Sequence, residues 1–346
     1  MKRVVLALGL MSTALPALAL GPDVSLAGTF GLSLSWYENH TDANDVTDLD
    51  LENNGSNFRI SAAAQEVGIR AFAVYERGAS NDKTHAEDAL NEDVREFFGG
   101  VSGQYGTLVY GRKATDYRLA GQRVDPFYNT SAASSNGRFA SEGASFGLSG
   151  MTNGFTSNTV AYTTPVLYGF SGNVAGYINN NPNNVGVGDE ADFGAGVSYA
   201  NSDWLGLDAG VQLLDINGNV VTGSGSGEST AYRAHASLGK ELWTFGFSYE
   251  VWDIAFLDDP REYAFLSGSY QLFEALRLAA TAGSVNAGDT DAASPDGVGG
   301  SVGMFWDVTK NLNAYWALRY VALDTADDET NATLATGVKF VFDVDL

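Results

Sequence analysis

Val24-Ser25-Leu26-Ala27-Gly28-Thr29-Phe30-Gly31-Leu32-Ser33-Leu34-Ser35-Trp36-Tyr37 sets the pattern that the rest of the chain repeats. Val24, Leu26, Phe30, Leu32, Leu34 and Trp36 share one parity, and Ser25, Ala27, Thr29, Gly31, Ser33 and Ser35 share the other. Successive side chains of a strand point to opposite faces, so this segment has one apolar face and one small, polar face. The alternation returns in Trp243, Phe245, Phe247, Tyr249 and Val251, and in Leu312, Ala314, Trp316, Leu318 and Tyr320. Val338, Phe340, Phe342, Val344 and Leu346 carry it to the end. No window carries a 3.6-residue stripe.

Marking every such segment yields sixteen strands, and the links between them alternate in length. Long links fill 38–54, 78–92, 114–155, 179–189, 215–228, 253–259, 287–296 and 324–329. Short ones, such as Tyr105, Thr164-Pro165 and Lys240-Glu241, separate the remaining strands. A soluble sandwich or propeller also alternates along its strands, but gives no reason for every second connection to be long. A membrane barrel does: it closes on itself because an open edge in lipid leaves backbone groups unpaired, and it has short periplasmic turns and long outer loops. The expected fold is therefore all-β, a 16-stranded antiparallel transmembrane β-barrel. Sixteen strands enclose a lumen too wide for side chains to fill. The longest link, 114–155, is expected to fold into that lumen and narrow it, since connections of this length are usually functional.

Composition removes other classes. Lys+Arg 19 against Asp+Glu 42 gives a formal charge of −23, which argues against a nucleic-acid partner. The absence of cysteine excludes disulfides and thiolate sites. No apolar run beyond the N-terminus approaches the roughly 20 residues that a spanning helix needs. Residues 1–19 read as a signal peptide: Lys2 and Arg3, an apolar stretch to Leu15, then Ala17-Leu18-Ala19 as the cleavage site. The barrel is expected over 20–346.

Basic residues are unevenly placed. Leaving out Lys2 and Arg3, ten of the seventeen others lie between Arg59 and Arg138. Alternation puts Arg59 and Arg70 on the inward parity, with Arg95 at the start of one strand and Arg112 at the end of the next. Opposite them the long loop offers Asp116, Asp125 and Glu142, among Arg118, Arg123 and Arg138. Opposed charges across a narrow aqueous slot create a transverse field that favours polar and ionic solutes. The acidic outer loops lean the expected ion selectivity weakly toward cations.

The stretch Arg95-Glu96-Phe97-Phe98-Gly99-Gly100-Val101-Ser102-Gly103-Gln104-Tyr105-Gly106-Thr107-Leu108-Val109-Tyr110-Gly111-Arg112 resembles the Gram-negative general diffusion porins, as do Asn57-Phe58-Arg59-Ile60 and the opening Val24-Ser25-Leu26-Ala27-Gly28. The resemblance spans the chain in strand count and loop rhythm and is sharpest over 55–129. It implies a homotrimer in the outer membrane of a Gram-negative bacterium, embedded in lipid and lipopolysaccharide, with passive passage of small hydrophilic solutes. The family usually ends in Phe, whereas this chain ends in Leu346. A pore specific for one substrate class, such as sugars, is the second reading; inward aromatics such as Phe305 and Tyr315 are scattered and give it little support. A non-transport barrel, an enzyme or an adhesin, is the third.

No enzyme, metal site or cofactor is expected. His40, His85 and His235 lack metal-ligand spacing, and no serine is marked as a partner for His235. Asp42, Asp45, Asp48, Asp50 and Glu52, and Asp289, Asp291 and Asp296, offer oxygens to a loop-bound Ca2+, but without EF-hand spacing.

Overall fold

Alternating segments become strands because each can bury its polar parity against its neighbours only when the sheet curls shut. The computed structural model describes residues 23–41, 45–79, 94–133, 155–178, 192–201, 206–217, 228–254, 259–286, 296–325 and 329–345. The strand segments are β1 Asp23–His40, β2 Asp45–Asn53, β3 Asn57–Glu66, β4 Ile69–Gly78, β5 Glu96–Gly103 and β6 Gly106–Ala114. They continue as β7 Phe155–Thr163, β8 Phe170–Tyr177, β9 Asp192–Asn201, β10 Leu207–Asn217, β11 Glu228–Lys240 and β12 Trp243–Ile254. The last five are β13 Arg261–Phe273, β14 Leu276–Asn286, β15 Gly297–Thr309, β16 Leu312–Leu323 and β17 Thr330–Asp345. A short helix, α1, spans Asp116–Gln122.

Each strand from β3 onward pairs antiparallel with the next, and β17 returns to β1 over its whole length, from Ser25 opposite Asp345 to His40 opposite Thr330. The sheet is a closed barrel. Of its seventeen segments, β2 and β3 both pair with β1, ending at Leu32 opposite Asn53 and Thr29 opposite Asn57. They are two parts of one wall strand broken at 54–56, so the wall has sixteen strands. The break is stitched to β1: Asn54 N–H donates to the Gly31 carbonyl at 3.1 Å, and Gly31 N–H donates to Ser56 Oγ at 2.9 Å.

The expectation of a loop over 38–54 is corrected here. β1 runs to His40 and β2 starts at Asp45 directly opposite it, so this region is a hairpin extending the barrel wall. Its acidity suggested a solvated loop. Yet Leu49 and Leu51 point outward, alternating with Asp48, Asp50 and Glu52, and Glu52 accepts hydrogen bonds from Ser35 and Tyr37 on β1. The alternation was present beneath the charge.

Polarity is inverted relative to a soluble domain. Leu34, Trp36, Val302, Trp316, Leu318 and Phe340 are exposed, while Ser33, Ser35, Arg233 and Glu250 are buried. An apolar belt of this extent has no place in water and suits a bilayer. No helix among the described residues is long and apolar enough to cross a membrane, which leaves the strands as the spanning elements.

Candidate pore constriction

A row of charges crosses the inner wall where β3, β4 and β5 meet. Arg59 lies opposite Glu76, and Glu76 lies opposite Glu96. Arg59 Nη1 is 3.3 Å from both Glu76 Oε2 and Glu96 Oε2, and Arg95 Nε is 3.4 Å from Glu76 Oε1. Arg95 also donates to the Gly55 carbonyl at 3.1 Å, which ties the wall break to this cluster. Arg112 donates to the Val94 carbonyl at 2.8 Å and to Ser157 Oγ at 2.9 Å. The Phe155 ring lies among three of these groups: the guanidinium carbons of Arg118, Arg95 and Arg112 are 4.2, 5.3 and 5.9 Å from its centroid.

Arg118 comes from α1. Thr115 caps this helix: its side chain accepts the Arg118 N–H at 3.1 Å, and Asp116 in the first turn complements the positive end of the helix. Burial pulls the Arg118 guanidinium below its ordinary value, and Tyr128, whose hydroxyl accepts from Arg118 Nη2 at 2.6 Å, opposes that. Arginine keeps its charge at neutral pH regardless.

From α1 onward, residues 116–133 run past inward-facing side chains of one strand after another. Asp116 Oδ2 accepts from Asn173 on β8 at 3.0 Å. Tyr117 packs its ring 4.3 Å from the Arg233 guanidinium carbon, accepts from Arg233 through its carbonyl at 2.8 Å, and donates its hydroxyl to Glu250. Arg233 and Glu250, on β11 and β12, pair at 2.6 Å and are fully buried. Arg123 pairs with Asp208 on β10 at 3.1 Å. The Val124 carbonyl accepts from Ser267 on β13 at 2.5 Å. Phe127, fully buried, packs with its ring tilted at 5.4 Å from that of Phe305 of β15, which in turn meets Tyr315. Ser131 Oγ bonds to Ser33 Oγ on β1 at 2.6 Å, and the Ala132 carbonyl accepts from Ser301 on β15 at 2.7 Å. Close approach needs glycine twice: a Cβ on Gly246 would stand 2.8 Å from the Val124 carbonyl, and one on Gly303 would stand 2.8 Å from the Phe127 ring.

The anticipated site residues separate as follows. Arg59, Arg95 and Arg112 come together, with Arg118. Arg70 is inward-facing too, but sits beside the 67–68 turn, its guanidinium 5.6 Å from the Phe72 ring centroid. Asp116 faces β8 and pairs with Lys113 at 3.6 Å, away from the arginine row. Asp125 is buried and accepts the Phe127 N–H at 2.9 Å, so it shapes its own turn. Glu142 and Arg138 lie outside the described residues, as do the signal segment and Leu346. Glu76, Glu96 and Phe155 were missed. Glu76 shares the inward parity of Arg70, and Glu96 follows Arg95, so the acids nearest the arginines were within reach of the same alternation. Phe155 carried no such signal.

His235 lies 3.4 Å from Asp208, and Ser248 is its cross-strand neighbour; Ser248 is fully buried. Asp48, Asp50 and Glu52 lie on β2, and His85, Asp42, Asp289 and Asp291 lie outside the described residues. Among the described residues, no three His, Asp or Glu are placed to hold a metal ion.

Comparison with known proteins decides the family. A family model described as Gram-negative porin matches residues 5–326. This chain is a Gram-negative porin. Among solved structures, an anion-selective porin from Comamonas acidovorans superposes with a TM-score of 0.75 at 15% identity, covering 92% of this chain and 99% of that one. The trimer form of OmpT from Vibrio cholerae gives 0.63 at 12% identity, covering 93% and 100%. OmpF of Salmonella typhi, in complex with daunomycin, gives 0.61 at 16% identity, covering 93% and 98%. No curated protein matches by sequence. The porin is an outer-membrane channel through which solutes diffuse.

Proposed function

We propose that this porin is a passive, weakly selective general-diffusion channel whose throat favours anions. Residues 115–133 act as an inward-tucked constriction, leaving a slot against the β3–β6 wall. The observation that carries the selectivity is the charge count at that wall. Arg59, Arg95, Arg112 and Arg118 supply four positive charges, against two negative ones from Glu76 and Glu96. This reverses the weak cation preference suggested by the acidic outer loops. Those loops act at the mouth, where salt screens them, whereas the throat charges act on an ion squeezed beside them.

The mature protein is residues 20–346, released by cleavage after Ala19, and it assembles as a homotrimer in lipid and lipopolysaccharide. Trimerisation is supported by the trimeric relative and by family membership. The channel uses no cofactor and holds no Ca2+. It performs no catalysis: Ser248, the cross-strand neighbour of His235, is fully buried. Phe127, Phe305 and Tyr315 pack on one another rather than forming a ladder along the bore, which disfavours a sugar-specific pore.

Planar-bilayer recording tests this. The expected result is a large ohmic conductance, without saturable block by sugars, and a reversal potential in a KCl gradient that reports PCl/PK above one. A ratio below one would overturn the anion assignment; saturable block would favour a substrate-specific pore.

A further inference from the structure

We infer that Phe155 is a positioning residue for ion selection: its ring gathers the throat arginines without cancelling their charge. The inference rests on the anion-preferring reading above and names the device behind it. Three guanidinium carbons lie within 5.9 Å of one ring centroid. They arrive from three places: Arg95 just before β5, Arg112 at the end of β6, and Arg118 in α1. Like charges brought this close repel one another, so something must hold them.

Carboxylates do part of the holding. Glu76 takes Arg95 and Arg59, and Glu96 takes Arg59. The hydrogen-bond partners of Arg112 are neutral, the Val94 carbonyl and the Ser157 hydroxyl. An aromatic face attracts cations through its quadrupole while carrying no net charge. A carboxylate in the place of Phe155 would hold the same arginines and remove a unit of positive charge from the throat. The ring holds them and leaves the throat positive.

The backbone is arranged to bring the ring there. Phe155 opens β7 opposite Ala114, next to an irregularity in the β6–β7 pairing where Arg112 alone stands against Ser157 and Asn158 of β7. Such a bulge re-aims the side chains beside it. Here the extra residue is on β7, Ser157 within it accepts from Arg112, and Arg112 lies beside the Phe155 ring that Arg95 and Arg118 also approach.

The test is selectivity in planar bilayers, with the folded state checked by heat-modifiable migration. Phe155→Leu keeps an apolar side chain but removes the π face. It is expected to lower PCl/PK by about two-fold, because loss of contacts of about 0.5 kcal/mol or more lets the guanidiniums spend about half their time away from the throat. Phe155→Tyr is expected to keep the original ratio. Replacement of Phe155 by 3,4,5-trifluorophenylalanine preserves shape and weakens the quadrupole, so it should reproduce the fall even if the leucine variant does not fold. An unchanged ratio in the leucine or trifluoro variant overturns the inference, as does a fall in the tyrosine variant equal to that in leucine. Arg59→Ala separates the two levels: if it leaves the ratio unchanged, the anion-preferring reading fails. If it shifts the ratio and the Phe155 variants do not, only the role of the ring fails.

Discussion

Arg59 is the most informative residue to remove, because 38% of its side chain is exposed while it still pairs with both Glu76 and Glu96. Arg59→Ala takes one positive charge from the wall and leaves Glu76 and Glu96 less neutralised, so both effects favour cations. For an ion passing about 6 Å from the guanidinium, Coulomb's law in water gives about 0.7 kcal/mol. A Debye length of about 10 Å at 0.1 M salt reduces this to about 0.4 kcal/mol. An anion loses that attraction and a cation is relieved of the same repulsion, so PCl/PK should fall by about four-fold. At 1 M salt, with a Debye length of about 3 Å, the shift should shrink to about 1.4-fold. The assay is the reversal potential across a bilayer at both salt concentrations. Arg70→Ala is the control. It removes the same charge from the same inward face, but six residues along β4 from Glu76, about 20 Å away at strand spacing. Equal shifts from the two variants would refute a localised throat, and a shift from Arg59→Ala that is insensitive to salt would refute the electrostatic account.

Glu250→Gln leaves Arg233 fully buried without its ion-pair charge, a loss of about 3–5 kcal/mol, and should lower the urea midpoint of the refolded barrel. Phe127→Ala empties a fully buried aromatic site where 116–133 meets β15, costing about 3–5 kcal/mol; open-channel current noise and protease cleavage within 116–133 should both rise. Val302→Lys, on the outward face of β15, should cost about 2–4 kcal/mol if it lies near the bilayer midplane, measured as reduced folding into lipid vesicles.

The wall was readable in the sequence because a closed barrel imposes a period of two everywhere, and Leu32, Leu34 and Trp36 obey it as clearly as Trp316 and Leu318. It failed where composition overrode period: the acidic β2 was read as loop although Leu49 and Leu51 kept the alternation. That Arg59, Arg95 and Arg112 come together was legible, because parity and strand ends locate them. Asp116 and Asp125 were assigned to the throat on charge alone. Their placement depends instead on the cap at Thr115 and the turn at 125–128, which direct their carboxylates to β8 and to a local N–H. Phe155 was invisible, because an aromatic after a long connection looks the same whether it meets lipid or three guanidiniums.

The seam between β1 and β17 has a consequence in time. The first strand of the barrel finds one of its two neighbours only in the last, so no shorter portion of the chain can satisfy both of its edges. Residues 116–133 touch β1 and β15 as well as β11 to β13. The segment therefore bridges strands on either side of the seam, so sealing the ring and seating 116–133 reinforce one another.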